Sequence, residues 1–276
     1  MNDSFSVAMS VYKNDEPDYF DRSLNSITDS QTIKPTEIIF VVDGPVPDSI
    51  NTIISKYQKK YSLIKVIRQE KNQGLGKALR KAIESCSYNL IARMDSDDVS
   101  VPMRFEEQLR FFKEHPDIDV LGGDITEFIG DEKNIIAKRT VPCVDSIIKQ
   151  YLRVRCPFNH MSVMYKKNSV LNAGGYQDWF CNEDYYLWIR MFLKNAKFAN
   201  TGTVLVNVRT GADMYSRRGG MKYYQSEYKL QKYMLQKKVI GLPIYVKNVI
   251  ERFILQVLLP NTVRGWVFRH FARESI

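Results

Sequence analysis

The first 125 residues alternate between short apolar runs and amphipathic stretches, and this order constrains the fold more than any other feature. Short apolar runs predict strands, whereas apolar residues three and four apart predict helices. The predicted strands are 5–11, 37–42, 63–68, 88–94 and 118–124. The predicted helices between them are 17–28, 48–60, 77–85 and a segment from Pro102 to His115. Strands separated by helices form a mostly parallel sheet covered on both faces, so we expect an α/β fold.

Ligands of such a sheet collect beyond the carboxyl ends of its strands. The fourth predicted strand is followed by Asp95-Ser96-Asp97-Asp98. Side chains two apart in extended geometry point to the same side, so Asp95 and Asp97 should converge. Paired carboxylates suit Mg²⁺ or Mn²⁺, which complete their shells with substrate phosphates. A polar turn whose acids serve the dipole of the next helix is the structural alternative.

Two common phosphate-binding motifs are absent. The chain has no G-x-G-x-x-G after its first strand and no G-x-x-x-x-G-K-[S/T]. These absences argue against a dinucleotide-binding Rossmann domain and against a P-loop enzyme. A metal site at the sheet edge must then serve a phosphate-bearing ligand of another kind.

Five short motifs occur in a characteristic order. They are Ser10-Val11-Tyr12, Val41-Val42-Asp43-Gly44, Asn72-Gln73-Gly74, Met94-Asp95-Ser96-Asp97-Asp98 and Asn182-Glu183-Asp184. In order and spacing they resemble the inverting family 2 glycosyltransferases of GT-A fold, over about residues 5 to 236. The most similar branch is the bacterial one that builds O-antigen (lipopolysaccharide), capsule and exopolysaccharide repeat units.

This resemblance implies a role for each motif. Tyr12 and Asp43 would hold the nucleotide base, with Asp43 accepting from a ring N–H. Asp95 would contact the ribose or the metal, and Asp97 would be the principal metal ligand. The nucleotide site would be completed by Ser10, Asn72 and Gly74. Without the resemblance, Tyr12 and Asp43 would be interpreted as a core aromatic and a turn aspartate.

The acid pair Glu183-Asp184 opens a helix predicted to run to about Asn195. Helical spacing places Asp184 on a stripe with apolar residues, and places Glu183 beside Arg190. The apolar members of that stripe are Leu187, Trp188 and Met191. A carboxylate that faces the protein interior costs free energy unless it is paired or used. Of the two candidate catalytic acids, Glu183 and Asp184, we therefore expect Asp184 to be the general base, whereas Glu183 points to the side of Arg190, where an ion pair is an alternative role. Capping by Asn182, with both acids serving the helix dipole, is the alternative.

Two further clusters are candidates for the acceptor or its diphosphate. Asn159-His160 lies just before a predicted strand at 161–165, and the resemblance places an Asn-His pair near the acceptor. A buried, hydrogen-bonded histidine is the alternative. Arg217 and Arg218, followed by two glycines, suit a diphosphate, although a solvated loop would also explain them.

The C-terminal residues carry all of the net charge. Residues 217–276 hold 12 Lys and Arg against three acids, which accounts for the whole formal charge of +9. Apolar residues between Pro243 and Pro260 recur with helical period, with polar residues on the other side. This run is too short and too charged to span a bilayer, so it predicts a helix that lies on an anionic membrane surface. A terminal helix packed on the domain is the alternative.

The remaining features concern the compartment. The N-terminus lacks a basic segment followed by an apolar one, so we expect no signal peptide. Four widely spaced cysteines without C-x-x-C should be free thiols, as in a cytoplasmic protein on the inner face of the cell membrane. The first 216 residues are neutral, and a basic tail on a neutral body suits an anionic surface, either phospholipid or nucleic acid. Of the two we expect a membrane surface, and no nucleic-acid partner.

The sequence therefore predicts a GT-A domain at 1–240, with a nucleotide-sugar half at 1–124 and an acceptor half at 125–240, and a basic membrane-associating tail at 241–276. With the resemblance, the expected activity is metal-dependent transfer of a hexose from a UDP-sugar to a lipid-diphosphate-linked saccharide. Two alternatives are a sugar-nucleotide pyrophosphorylase-like enzyme and a non-enzymatic peripheral membrane module. The pyrophosphorylase is disfavoured because a glycine-rich, basic segment after the first strand is missing.

Overall fold

The computed structural model describes residues 4–211, 219–260 and 263–265, and these residues are organised around one nine-stranded sheet. The strand order is β3-β2-β1-β4-β8-β6-β9-β5, with β7 paired to β6. The strands are β1 (Phe5–Val11), β2 (Glu37–Val42), β3 (Ile64–Arg68), β4 (Leu90–Arg93), β5 (Val99–Ser100), β6 (Val120–Phe128), β7 (Ile135–Arg139), β8 (Met164–Lys166) and β9 (Phe198–Arg209).

The helices of the described residues lie between and after these strands. They are α1 (Pro17–Ile27), α2 (Asp48–Lys60), α3 (Leu75–Ser85), α4 (Arg104–Glu114), α5 (Asp145–Tyr151), α6 (Lys167–Asn172), α7 (Glu183–Leu193), α8 (Met221–Gln236) and α9 (Leu242–Phe253), which continues into a π-helical turn at Ile254–Leu258.

The parallel half of the sheet is buried on both faces. Alternate residues of β1 and β2 enter different cores, because strand side chains alternate between the two faces. Ala8 and Ile39 pack with α3 and α7 on one side. Met9 and Phe40 pack with α1, α2 and α4 on the other. The sequence prediction of an α/β sheet with helices on both faces is confirmed.

The second half of the sheet combines antiparallel and parallel pairs of strands, and its longest pair is parallel. β8 runs antiparallel to both β4 and β6, whereas β6 and β9 pair in parallel over most of their length. A hairpin lies around Gly130: β6 pairs antiparallel with β7, and the Ile129 amide donates to the Asn134 carbonyl at 3.3 Å. The predicted strand at 161–165 is wrong at its start, because residues His160–Ser162 form a 3-10 turn before β8.

The segment around Pro102 also differs from expectation. Pro102 was expected in the first helical turn, but α4 begins at Arg104. Upstream of Pro102, residues Val99–Ser100 form the short strand β5 against β9. The Arg104 amide donates to the Val101 carbonyl at 3.2 Å. Pairing with a distant strand therefore delays the helix, and local sequence carries no signal of that partner.

The C-terminal helix α9 packs on the domain through its polar side. Asn248 donates to Gln231 Oε1 at 2.8 Å and to the Arg153 carbonyl at 2.9 Å. Arg252 forms an ion pair with Glu227 at 2.7 Å. Tyr245, on the same helix, is partly buried against the core. The helix is therefore attached by hydrogen bonds and an ion pair as well as by apolar contact.

The opposite side of α9 presents an apolar stripe to the surface. Its members are four residues apart and are between 43% and 62% exposed. They are Leu242, Val246, Ile250, Ile254 and Leu258. A helix with its apolar side outward is unusual for a water-facing surface. No helix among the described residues is long and apolar enough to cross a membrane.

Candidate functional site

Asp43 follows β2 and fixes the loop that covers the end of this strand. Its carboxylate accepts from the amides of Gln73 and Gly74 at 2.7 and 2.9 Å. The side chain of Asn72 donates back to the Asp43 carbonyl at 3.2 Å. Two motifs that lie 29 residues apart in the chain thus meet at one edge of the sheet. Each carboxylate oxygen keeps a further acceptor position for a ligand N–H.

Gly44 is required for this meeting. Its φ of +87° is a backbone conformation that favours glycine, and a Cβ there would lie 2.5 Å from the Asn72 nitrogen. Any side chain would push the 72–74 loop away from Asp43. The two motifs therefore depend on each other for their geometry.

Three aspartates converge after β4. One carboxylate oxygen from each of Asp95, Asp97 and Asp98 lies within 4.8 Å of the other two. The expected convergence is present, but β4 already ends at Arg93 and the chain bends at Ser96 and Asp97. The extended geometry from which it was predicted is therefore wrong, and a turn brings the carboxylates together. Hard oxygen donors in this space fit Mg²⁺ or Mn²⁺.

Asp98 has a structural task within this group. It is buried, and it accepts from the Arg209 amide of β9 at 2.9 Å. Burial raises the pKa of Asp98 well above its usual range, and the charges of Asp97 and Asp95 raise it further. Asp95 and Asp97 are the half-buried members of the group, so their side chains keep contact with solvent.

A buried cation, Arg93, lies beside these acids. Its guanidinium forms an ion pair with Asp95, and the Arg93 carbonyl accepts from Arg104 Nη2 at 2.7 Å. The side chain of Arg93 is 2% exposed. A buried guanidinium is tolerated only when opposite charge surrounds it, and the acids after β4 supply that charge.

Asp15 was not anticipated as a site residue. Its carboxylate accepts from the Tyr12 amide at 3.0 Å and from Ser96 Oγ at 2.9 Å, which ties the loop after β1 to the acidic turn. Burial raises the pKa of Asp15 to about 6, and Asp97 and Asp95 contribute. Tyr12 is 39% exposed beside it, and Ser10 is half-buried at the end of β1. The polar run at 13–16, between a strand and Pro17 of α1, was the available signal.

Arg209 is a second residue that sequence reasoning missed. Its Nε donates to the Asp97 carbonyl at 3.2 Å, and its Nη1 donates to the Gly130 carbonyl at 2.8 Å. The guanidinium lies 3.8 Å from the ring centre of Tyr19. It thus holds the backbone of the acidic turn. Nothing in its local sequence, at the end of β9, indicates that task.

The acid pair opens α7 as expected, but its neighbours differ from the prediction. Asn182 makes no capping hydrogen bond and donates to Ser226 Oγ at 3.3 Å. Arg190 does not pair with Glu183, since it donates to the carbonyls of Ala173 and Gly175 at 2.5 and 2.7 Å. Neither alternative, capping by Asn182 or a Glu183–Arg190 pair, is present. The predicted buried stripe is correct, as Leu187, Trp188 and Met191 are fully buried.

Both acids of the pair hold protons more tightly than usual. Burial raises the pKa of Glu183 to about 7, and the neighbouring Asp184 carboxylate adds to the shift. Burial also raises the pKa of Asp184, although Arg93 opposes this effect at both acids. The Cys156 sulfur lies 3.7 Å from Asp184 Oδ2. A carboxylate with a raised pKa is a better proton acceptor near neutral pH.

Asn159 and His160 precede β8, and His160 contacts α7, the helix that the acid pair opens. His160 Nε2 is 2.6 Å from Tyr176 Oη, and its ring contacts Trp188 edge-on. Burial lowers the pKa of His160 well below its usual range, so the ring is neutral. Asn159 is buried and donates to the Gly123 carbonyl at 2.8 Å, which is a structural role. The predicted diphosphate residues Arg217 and Arg218 lie outside the described residues.

The fold is that of the GT-A glycosyltransferases. The crystal structure of S. aureus TarS 1-349 in complex with UDP-GlcNAc superposes with a TM-score of 0.67, covering 97% of this chain and 76% of that chain. The sequences are 17% identical, so this likeness concerns the fold alone.

The family follows from the sequence. Residues 6–180 match the family described as Glycosyl transferase family 2, and the chain belongs to this family. An amylovoran biosynthesis glycosyltransferase, AmsE of Erwinia amylovora, is 38% identical over 86% of this chain and 88% of its own length. The UDP-Gal:alpha-D-GlcNAc-diphosphoundecaprenol beta-1,3-galactosyltransferase of Escherichia coli is 36% identical over 99% of this chain and 98% of its own. An uncharacterized glycosyltransferase of Haemophilus influenzae is 37% identical over 98% of this chain and 99% of its own.

Proposed function

We propose that this chain is an inverting hexosyltransferase that moves a sugar from a UDP-sugar to a lipid-diphosphate-linked saccharide, in the synthesis of a bacterial surface polysaccharide. The names of the Escherichia coli and Erwinia amylovora relatives support this substrate class. The position of Arg93 carries the proposal. This buried cation interacts with Asp95 beside the proposed donor site and with Glu183 and Asp184 beside the proposed acceptor site, so one buried charge links the two acidic groups.

The nucleotide of the donor is assigned to the edge formed by β1 and β2. Asp43 is held in one orientation by the 72–74 loop, with lone pairs available for a base N–H. Tyr12 offers an exposed ring on which a base can stack. Ser10, Asn72 and Gly74 would complete this nucleotide site.

The diphosphate of the donor is assigned to the acidic turn. Asp97 would be the principal ligand of a Mn²⁺ or Mg²⁺ ion, with Asp95 as a second ligand that Arg93 orients. When bound there, the ion would supply positive charge beside the leaving nucleoside diphosphate. Asp15 and Arg209 fix the turn from two sides through Ser96 and the Asp97 carbonyl.

The acceptor side is assigned to the start of α7. Asp184 would take the proton of the attacking hydroxyl while the diphosphate departs from the opposite face of the sugar, which inverts the configuration. Glu183, with a pKa raised to about 7, is the neighbouring acid whose charge strengthens that basicity. His160 contacts α7 through Trp188, and we assign Asn159 and His160 to the acceptor sugar and Arg217 and Arg218 to its diphosphate.

The lipid carrier requires a protein that works at a membrane surface. We assign this task to the basic tail at 241–276, which follows the GT-A domain at 1–240 and packs on it through α9. Because the polar side of α9 is occupied by protein contacts, its apolar stripe is directed away from the domain. An apolar stripe beside excess Lys and Arg suits the anionic, cytoplasmic face of a cell membrane.

A transfer assay tests the proposal. The protein is incubated with a panel of UDP-sugars, Mn²⁺ and a synthetic lipid-diphosphate-linked GlcNAc acceptor, and products are identified by mass spectrometry and by the anomeric NMR coupling. We expect a disaccharide product with inverted anomeric configuration and release of UDP. Release of pyrophosphate with a nucleotide-sugar product would indicate a pyrophosphorylase instead. Failure of every UDP-sugar to bind would contradict the donor assignment.

A further inference from the structure

Cys156 lies beside Asp184, the proposed base. Its thiol has two acceptors within reach: the Phe158 carbonyl at 3.6 Å and Asp184 Oδ2 at 3.7 Å. Burial raises the pKa of this thiol well above its usual range, and the Asp184 charge adds to that effect. The group is therefore a neutral S–H with one hydrogen to donate.

The loop that carries Cys156 is held rigidly against α7. Arg139 Nη2 donates to the Cys156 carbonyl at 2.9 Å. The ring of Phe158 packs edge-on against Trp188 of α7, with 5.2 Å between ring centres. Phe158 follows Cys156 by two residues, and Trp188 lies on the same helix as Asp184. Their packing therefore fixes the distance between the thiol and the carboxylate.

We propose that Cys156 is a positioning residue for Asp184: its S–H donates to the carboxylate when Asp184 is ionised and to the Phe158 carbonyl when Asp184 is protonated. An ionised carboxylate is a stronger hydrogen-bond acceptor than a neutral carbonyl, so the thiol donates its one hydrogen to the carboxylate. Once Asp184 has taken a proton from the acceptor hydroxyl, the thiol returns to the carbonyl. The exchange breaks no covalent bond and needs no co-reactant.

Several other polar and charged groups also face Asp184. Arg93 of β4 and Arg139 of β7 favour its ionised form, as does the Tyr185 amide at the start of α7. Glu183 and the Tyr176 hydroxyl also lie within electrostatic reach. Removal of the thiol alone leaves all of these groups in place, so the effect of Cys156 can be isolated.

The proposal rests on Asp184 being the base of the transferase, and two readouts separate the two ideas. The first is the acid limb of the kcat–pH profile for sugar transfer. Cys156→Ala removes a hydrogen bond to the charged form, so the pKa of Asp184 should rise and the limb should move to higher pH by about half a unit or more. Cys156→Ser keeps a donor and should leave the limb near or below that of the parent. Cys143→Ala, an exposed thiol outside the site, is the control.

The second readout needs no substrate. The pKa of Asp184 is followed by NMR with ¹³C-labelled aspartate, assigned by loss of the signal in Asp184→Asn. We expect it to rise in Cys156→Ala and not in Cys143→Ala. An unchanged pKa in a folded Cys156→Ala protein overturns the positioning role, whatever the transfer assay shows. A raised pKa in a protein with no transferase activity supports the contact and contradicts the proposed function.

Discussion

The guanidinium of Arg93 and the carboxylate of Asp95 form an ion pair at the end of β4, with the arginine fully buried and the aspartate partly so. The acids around Arg93 outnumber the cations, because Asp95, Asp98, Glu183 and Asp184 all interact with it. Arg104 is a second buried cation, and its pKa is lowered to about 9 by burial and by Arg93. This charge distribution determines which substitutions should be tolerated.

Arg93→Met should destabilise the fold by about 3 kcal/mol, because it leaves the Asp95 carboxylate without its partner. Urea unfolding at pH 7 measures the loss. Arg80→Met is the matched control, since Arg80 pairs with Glu84 on the exposed face of α3, where such pairs contribute only about 0.3–0.5 kcal/mol. Equal losses in the two variants would contradict the importance of the buried pair.

Asp97→Ala should weaken UDP binding in the presence of Mn²⁺ by about tenfold or more, since it removes the proposed principal ligand. Without Mn²⁺ the parent and the variant should bind UDP alike. Calorimetry with and without the ion measures both. Asp117→Ala, in an exposed turn before β6, is the control. If Asp97→Ala responds to Mn²⁺ as the parent does, the metal assignment is wrong.

Asp184→Asn should lower turnover by about two orders of magnitude or more, because it keeps shape and removes basicity. Donor affinity should change little. Glu183→Gln should have a milder effect, since it removes only a neighbouring charge. Steady-state kinetics with saturating donor measures both. Near-normal turnover in Asp184→Asn, with turnover abolished in Glu183→Gln, would require the roles to be exchanged.

Gly44→Ala should lower both stability and UDP affinity. Its positive φ costs about 1 kcal/mol for any L-residue, and the added Cβ displaces the Asn72 nitrogen that lies 2.5 Å away. Gly130→Ala is the control, because Gly130 also has a positive φ but no neighbour within 4 Å. Both should lower the melting temperature, and only Gly44→Ala should weaken UDP binding. Equal UDP affinities would show that the 72–74 loop does not depend on Gly44.

The double variant Val246→Gln, Ile250→Gln should reduce binding to anionic phosphatidylglycerol vesicles by about tenfold, because two exposed aliphatic side chains no longer enter the acyl region. The fold should remain, as both side chains face away from the domain. Vesicle sedimentation at two salt concentrations measures the loss and its electrostatic part. Ile147→Gln, an exposed isoleucine of α5, should bind as the parent does. Unchanged sedimentation of the double variant would exclude the stripe as the membrane contact.

Local sequence was sufficient for the parallel half of the fold. The runs at β1 and β2, and the helices α1 and α2, were predicted nearly to the residue, because each is long, strongly periodic and bounded by a turn. The five motifs likewise located Asp43, Asp95, Asp97 and Asp184 at or just beyond the ends of elements. These properties depend on neighbours within a few residues along the chain.

Tertiary structure decided which of those residues meet. Asp43 holds a loop from a motif 29 residues away, Asp15 reaches the acidic turn across 81 residues, and Arg209 reaches it across 112. β5 exists because β9 pairs with it, and α9 directs its polar side inward because Gln231, Glu227 and the Arg153 carbonyl offer partners there. Periodicity shows that a helix has two sides, but the side that is buried depends on what the rest of the chain presents to it.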